Sequence, residues 1–368
     1  MKFLPNILTV GCWNIEGVYE KVNGIKVNKL SNDTFENVLR TFDILCLQET
    51  HVAQQETLTT PENYVAVPHY RKISMNNRYF GGKLLLIKKS IRKGVKIKQD
   101  FDVDALEVIL EKKFFGLQQN IKILFAYASP ISSCYTKARS ENILEKIENK
   151  IVDGRNTYLI MGELNGRTQK GDDFVRDNFD KYSPINDVPA YTKDEATERK
   201  NQDTHKIDEQ GKLILDLCKS HSLRILNGRT SGDTQGRFTR YPKRIDNNPS
   251  VIDYSLCGEA ILPEIFSFAV LPFTELSDHC CTSTNIRINA PHPDTTCEPH
   301  FKVNPNKMKL TYDEDKKHVF QANILLSEKY NPLLTTLNNP QKSIDDLNLC
   351  VTQLNSVILD AAGKSFLF

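Results

Sequence analysis

Eight short apolar runs divide residues 7–288, and most of them stop on a polar residue: ILTVGCW (7–13), FDILCLQ (42–48), GGKLLLIKK (81–89), IKILFAYA (121–128), TYLIMGE (157–163), LRILN (223–227), SVIDYSLC (250–257) and CTSTNIRI (281–288). Each has the length of a β-strand. Between some of them the spacing changes to that of a helix. Ile143, Ile147 and Ile151 recur every fourth residue with Leu144 beside them, and Leu213, Ile214, Leu217 and Cys218 form a second stripe. Helices alternating with buried strands predict an α/β sandwich, sheets inside and helices outside. Self-similarity at roughly 20–50 residues is absent, which argues against a solenoid or propeller.

After Ile288 the pattern stops. NAPHPDTTCEPHFKVNPNK carries four prolines and no strand alternation, which predicts a linker. Further on, Ile344, Leu347, Val351, Leu354 and Ile358 fall on one face of a helix. The expected organisation is a main domain over 1–288, a Pro-rich linker over 289–310 and a helical tail over 311–368. A single amphipathic face cannot bury itself, so the tail must dock on the main domain, on another copy or on sequence outside this chain.

Composition narrows the class without deciding it. The chain has 368 residues, 26% charged and 39% hydrophobic, with a net charge of 48 − 46 = +2, ordinary for a soluble globular protein. The distribution says more: Arg71 to Gln99 holds ten Lys/Arg and no Asp or Glu. Such a block can steer a polyanion, or it can be lysine protecting a pair of edge strands. Nine cysteines with no C-x-x-C spacing predict reduced thiols, with neither a zinc site nor a disulfide framework. Pro5 and Asn6 interrupt the start, so no secretory h-region is visible, and no apolar stretch has membrane-spanning length. The expectation is a protein of the nucleus and/or cytoplasm, not secreted and not bound to membrane.

The polar residues that end the runs share one chemistry. Asn14 follows VGCW, Glu49 follows ILCLQ, Glu163 and Asn165 follow LIMG, Asp253 sits in SVIDY, and Asp278 with His279 sits in LSDH. Side chains two apart on a strand share a face, so Glu163 and Asn165 can serve one site. Carboxylates and carboxamides are hard oxygen donors, suited to Mg²⁺ or Mn²⁺ rather than zinc. A histidine oriented by an aspartate can stabilise negative charge developing on phosphate. Singly, each residue has an ordinary explanation as a cap, a surface acid or a buried histidine. Their conjunction at successive strand ends does not.

The ordered series CWNIEG, LCLQET, AYASP, GELNGR, NGRTSGDTQGRFT, VIDY and LSDH resembles the endonuclease/exonuclease/phosphatase superfamily. Within it, the series is most similar to the endonuclease domains of non-LTR retrotransposons, relatives of abasic-site endonucleases. The resemblance covers residues 7–288. It implies a four-layered α/β sandwich, two packed mixed β-sheets flanked by helices, followed here by the helical tail. It also implies a Mg²⁺-dependent DNA endonuclease, with Mn²⁺ an alternative metal. DNA would be the partner, and RNA of the parent element a second candidate. Position by position, Glu49 assisted by Asn14 would hold the metal on a phosphate oxygen, and Asp278 would support the metal site or the leaving group. Tyr127 would hydrogen-bond the phosphate, and Glu163 with Asn165 would align and deprotonate the attacking water. His279, oriented by Asp253, would stabilise the developing charge, and Thr239 would lie near the DNA backbone.

Two positions depart from the family pattern. Glu16 occupies a variable second-acid position. Glu163 stands where the family usually has aspartate, in G-D-x-N, and its extra methylene moves the carboxylate by up to about 1.5 Å, one C–C bond. A misplacement of about 1 Å can cost on the order of 10²-fold in rate, so a slowed chemical step is expected unless the longer side chain folds back. Two alternatives stay open: another phosphodiesterase or phosphatase of the superfamily, and a non-catalytic DNA-binding relic.

Overall fold

In the computed structural model all eight apolar runs form strands. The structure describes residues 6–22, 25–53, 58, 61–71, 74–75, 78–137, 141–151, 157–175, 198–243 and 248–289. Toward the C-terminus it describes 320, 323–324, 327–328, 330–337, 350, 352–358 and 360–361. The first sheet runs, in spatial order, β15 (Ile265–Val270), β16 (Thr282–Ile288), β1 (Asn6–Asn14), β4 (Ile44–Gln48), β8 (Lys83–Lys88) and β5 (Tyr64–His69). The second runs β13 (Leu223–Ile225), β14 (Asp253–Gly258), β12 (Tyr158–Glu163), β11 (Ile121–Ala126), β10 (Ala105–Leu110) and β9 (Val95–Asp102). Both are mixed: β1 is parallel to β4 and antiparallel to β16, while β12 is parallel to β11 and antiparallel to β14. Two small hairpins, β2 (Tyr19–Val22) with β3 (Ile25–Asn28) and β6 (Ser74–Met75) with β7 (Arg78–Tyr79), stand apart from the sheets.

Side-chain alternation along the strands builds the layers. Val10, Cys12, Ile44, Cys46 and Leu85 of the first sheet face Val108, Ile123, Phe125, Leu159 and Met161 of the second across a continuous core. The opposite face of the first sheet sets Leu45, Leu47 and Leu84 against Phe35 and Leu39 of helix α1 (Asp33–Leu39). The outer face of the second packs Leu124, Ile160 and Leu256 against two further helices. These are Ile143–Ile151 and Glu209–Ser220, which bury Ile147 and Ile214 respectively. The result is the four-layered α/β sandwich.

Four strands of the two six-stranded sheets were not visible as apolar runs: β5, β9, β10 and β15. Three of them are sheet edges, where one face meets water and the apolar run is diluted; β9 reads VKIKQDFD. Four residues of the basic block have partners or burial in the fold. Arg71 is buried against Asp104 (2.5 Å), Lys88 pairs with Asp43 (3.0 Å), Lys96 pairs with Glu111 (2.5 Å), and Lys83 is buried inside β8. Arg71, Lys83 and Lys88 therefore serve the fold, whereas Lys96, whose side chain is 69% exposed, stays at the surface.

The chain divides into two units, 1–296 and 297–368. In the second, the helix Tyr330–Leu337 buries Leu333. Val357 and Ala361 are also buried, whereas Leu354 and Ile358 are exposed. The buried stripe is thus rotated from the expected one, and Ile344, Leu347 and Val351 lie outside the described residues, as does most of the expected linker. Among the described residues no helix is long and apolar enough to cross a membrane, and seven cysteines are free and buried.

Candidate active site

The two sheets bring their polar strand ends to one cleft of about 240 Å³. From the first sheet come Asn14 at the end of β1, Glu49 just beyond β4, and Asp278 with His279 ahead of β16. From the second come Glu163 at the end of β12 and Asp253 opposite it in the ladder, at the start of β14. Gln48 joins the two sheets. Its amide donates to Ala126 O (2.8 Å) and accepts from Glu163 N (3.0 Å), so one buried side chain sets the spacing between Glu49 and Glu163. That passage requires Gly162: its φ is 144°, and a Cβ there would lie 2.0 Å from Ala126 O. On the other flank, Ser277 Oγ donates to Asn14 O (2.7 Å) and accepts from His279 N (3.1 Å), while Trp13 Nε1 donates to His279 O (2.9 Å). The backbone around the cleft is strained. Among the described residues six non-glycine residues have positive φ, and four of them, Glu16, Glu49, His51 and Asn165, line it, each at a cost of roughly 1–3 kcal/mol that the surrounding packing must offset.

The deep wall holds two hydrogen-bonded pairs. Asp253 Oδ2 lies 2.9 Å from His279 Nδ1, and Asn14 Nδ2 donates to Glu163 Oε2 at 2.5 Å. His279 Nε2 stands 3.8 Å from Glu163 Oε1 and 3.7 Å from Asp278 Oδ1. Those distances exceed a hydrogen bond and leave a place for an oxygen between the groups. Burial alone would depress His279, but the carboxylates of Asp253 and Glu163 outweigh it and raise the imidazole to about 9. Burial raises Glu163 to about 7, partly opposed by His279 and reinforced by Asp253. Donor atoms of Glu163, Asp253 and His279 lie within 4.8 Å of one another, a spacing that a metal could span. The 2.9 Å bond between His279 Nδ1 and Asp253 Oδ2 means that these two groups already serve each other.

The shallower wall carries the oxygen donors. Glu49 Oε2 accepts from His51 Nε2 at 2.5 Å and from Gly81 N at 3.3 Å. Burial would raise Glu49, but the hydrogen bond and charge of His51, the hydroxyl of Tyr127 and the charge of Arg71 together hold it below the ordinary carboxylate range. Tyr127 is pushed up by burial and by the charges of Glu163 and Glu49, so it remains a neutral donor. Asp278 Oδ2 accepts from Arg240 Nε at 2.9 Å. A donor set of carboxylates without thiolates, one of them ionised despite burial, fits a hard divalent cation such as Mg²⁺ or Mn²⁺.

Seven of the residues singled out from sequence, Asn14, Glu49, Tyr127, Glu163, Asn165, Asp278 and His279, line this cleft. Asp253 stands behind His279. Asn14 spends its amide on Glu163 and its Oδ1 on Glu16 N (2.9 Å), so it orients Glu163 more directly than it faces a metal. Asn165 Nδ2 donates to Ala128 O (3.1 Å). Thr239 is corrected: it is fully buried, and its hydroxyl accepts from Ile252 N (3.0 Å) and Asp253 N (3.1 Å). It pins the strand that carries Asp253 and does not reach a DNA backbone. Sequence reasoning missed Gln48, His51 and Arg240. Only His51 left a trace, a second polar residue two positions past Glu49.

The family model described as "Endonuclease/Exonuclease/phosphatase family" matches residues 11–279. No curated protein matches the sequence. Among solved structures, the AP endonuclease LMAP from Leishmania major is similar at 15% identity over 77% of this chain and 88% of that one, with a TM-score of 0.53. The endonuclease domain of TRAS1, a telomere-specific non-LTR retrotransposon, is similar at 15% identity over 77% and 100% of the two chains, with a TM-score of 0.48. A 3′ phosphatase, NExo, from Neisseria, bound to a product DNA hairpin, is similar at 13% identity over 76% and 99%, with a TM-score of 0.48.

Proposed function

The chain belongs to the endonuclease/exonuclease/phosphatase family, whose model matches residues 11–279, and from that premise we propose that it is a Mg²⁺-dependent DNA endonuclease of non-LTR retrotransposon type. The observation that carries the reading is the pairing of a proton-holding wall, Asp253–His279 opposite Glu163, with an ionised carboxylate, Glu49, in one cleft. The retrotransposon branch is supported by the sequence motifs from NGRTSGD to VIDY. DNA as the partner is an inference from the cleft and those motifs.

Glu49 and Asp278 would hold the metal, which when bound supplies Lewis-acid polarisation and charge neutralisation at a phosphate oxygen. Tyr127 and His279 donate hydrogen bonds to the phosphate. The imidazolium, kept charged by Asp253, sits where negative charge develops. Glu163 takes the proton of the attacking water as the water oxygen bonds to phosphorus, the P–O bond to the departing sugar oxygen breaks, and that oxygen takes a proton from solvent. A carboxylate tuned to about 7 is matched to neutral pH for that task, and Asn14 aims it. Asn165, its amide plane held by Ala128 O, orients the same water. The chain would act in the nucleus and/or cytoplasm. Conversion of supercoiled plasmid to nicked circles tests the proposal: wild type nicks with Mg²⁺ and not with chelator, and Glu49→Ala and His279→Ala lose the activity. Wild-type nicking no faster than both variants would reject it.

A further inference from the structure

Among the described residues of 1–296, four aromatic side chains are exposed by more than a third: Phe80, Tyr241, Phe266 and Phe273. A single exposed ring needs no explanation. Phe266 has one in any case, since the Arg287 guanidinium lies 5.3 Å from its centroid. The other three stand beside the residues that line the cleft rather than among them. Phe80 meets the His51 ring edge-on at 5.8 Å. Tyr241 follows Arg240 and donates its backbone N–H to Asp278 O at 2.7 Å, so it extends the wall that Arg240 and Asp278 form. Phe273, 50% exposed, packs edge-to-face on Tyr241 at 5.5 Å and 70°. Phe238 also meets the Tyr241 ring, at 6.2 Å and 74°, so Phe273 is the more open of the two.

We infer that Tyr241 and Phe273 form a stacking platform for a nucleobase of the strand whose phosphate occupies the cleft. The inference rests on the nuclease reading above and narrows its substrate. Every base offers a π-face, so aromatic stacking is tolerant of sequence, and Arg240, next in the chain to Tyr241, lines the cleft with its guanidinium on Asp278 at 2.9 Å. A base inside a regular duplex has both faces covered, and unstacking it is costly. The platform therefore favours a strand with an unpaired or bulged base next to the scissile phosphate over uninterrupted duplex.

The test reads binding without cleavage. Full-length protein is titrated in chelator with a duplex carrying a central bulge of 2-aminopurine, whose fluorescence falls when it stacks, and with the same duplex lacking the bulge. Wild type is expected to quench the probe and prefer the bulge. The double variant Tyr241→Ala/Phe273→Ala should lose the quench and weaken bulge binding by roughly 5- to 150-fold, the equivalent of the ~1–3 kcal/mol of one stacked base. Phe273→Trp should retain both. Equal quench and affinity in wild type and double variant overturn the platform, while plasmid nicking by the same preparations judges the nuclease reading separately. Quench without nicking would keep the platform and reject the nuclease. Absence of quench, bulge preference and nicking in wild type would reject both.

Discussion

Glu163 and Glu49 are the same side chain in the same cleft, and their environments push them apart. Glu163 ends a strand of the second sheet, buried beside Asp253, and is raised to about 7. Glu49 lies just past a strand of the first sheet, in a positive-φ conformation, with His51, Tyr127 and Arg71 holding it ionised. Desolvation favours the neutral form of a carboxylate, while cations and donors favour the charged form. Which effect wins here depends on which sheet delivers the residue. The consequence is a division of labour: a group that can take a proton at neutral pH stands opposite a group that stays charged and can hold a cation.

The largest test of that contrast shortens the deep acid. In sequence, glutamate in place of the usual aspartate suggested a slowed enzyme. The geometry argues otherwise, because the longer side chain already reaches Asn14 at 2.5 Å and faces His279 at 3.8 Å. Glu163→Asp withdraws the carboxylate by about 1.5 Å, and the expected result is a fall in nicking rate on the order of 10²-fold at saturating Mg²⁺. A faster Glu163→Asp enzyme would mean that glutamate is a handicap and that its longer reach does not place the carboxylate for the attacking water.

The shallow acid is probed through His51, which touches Glu49 and packs on Phe80. An outer partner that orients a metal-binding carboxylate typically contributes 10–100-fold in metal affinity. His51→Ala should therefore raise the Mg²⁺ concentration for half-maximal nicking by about 10–100-fold, with a much smaller change in the rate at saturation. An unchanged Mg²⁺ dependence would separate His51 from the metal site. His51→Gln, which can still donate to Glu49, should recover part of the loss.

These two acids also mark how far the sequence could be read. Both were legible because each terminates an apolar run, and a buried strand that stops on a polar residue advertises a site at the sheet end. Their opposite tuning was not legible. It depends on Gln48 threading between sheets, on His51 turned back through a positive φ, and on Arg71, which is distant in sequence. Arg71 shows the limit well: in the chain it belongs to a run of cations facing no acid, whereas in the fold Asp104 claims it at 2.5 Å. Thr239 fails for a related reason. A hydroxyl next to catalytic motifs reads as a ligand contact, but here it satisfies two backbone N–H groups of the strand it supports. The edge strands were obscured by the water-facing lysines and acids that their position allows.

The smallest expected effect tests the contrast in the resting protein, by stability against pH in the presence of chelator. Glu163 has a folded pKa of about 7, above the ordinary value of roughly 4.3, so the folded chain keeps a proton that the unfolded chain has released. The stability this contributes is complete below the ordinary value and is lost as pH rises through 7. His279, raised to about 9, acts in the same direction, losing its contribution as pH rises from roughly 6.5 through that value. Glu49 carries the opposite sign. Its folded pKa lies below the ordinary value, so its contribution is present above that value and lost as pH falls through the lowered one. Melting temperatures of wild type, Glu163→Gln and Glu49→Gln across pH should separate the two. Glu163→Gln flattens the decline between about pH 5 and 9, because it removes its own titration and one of the charges that raises His279. Glu49→Gln leaves that limb in place and flattens the acid one. Superimposable profiles for all three proteins would show that the two glutamates are not held apart in the folded chain.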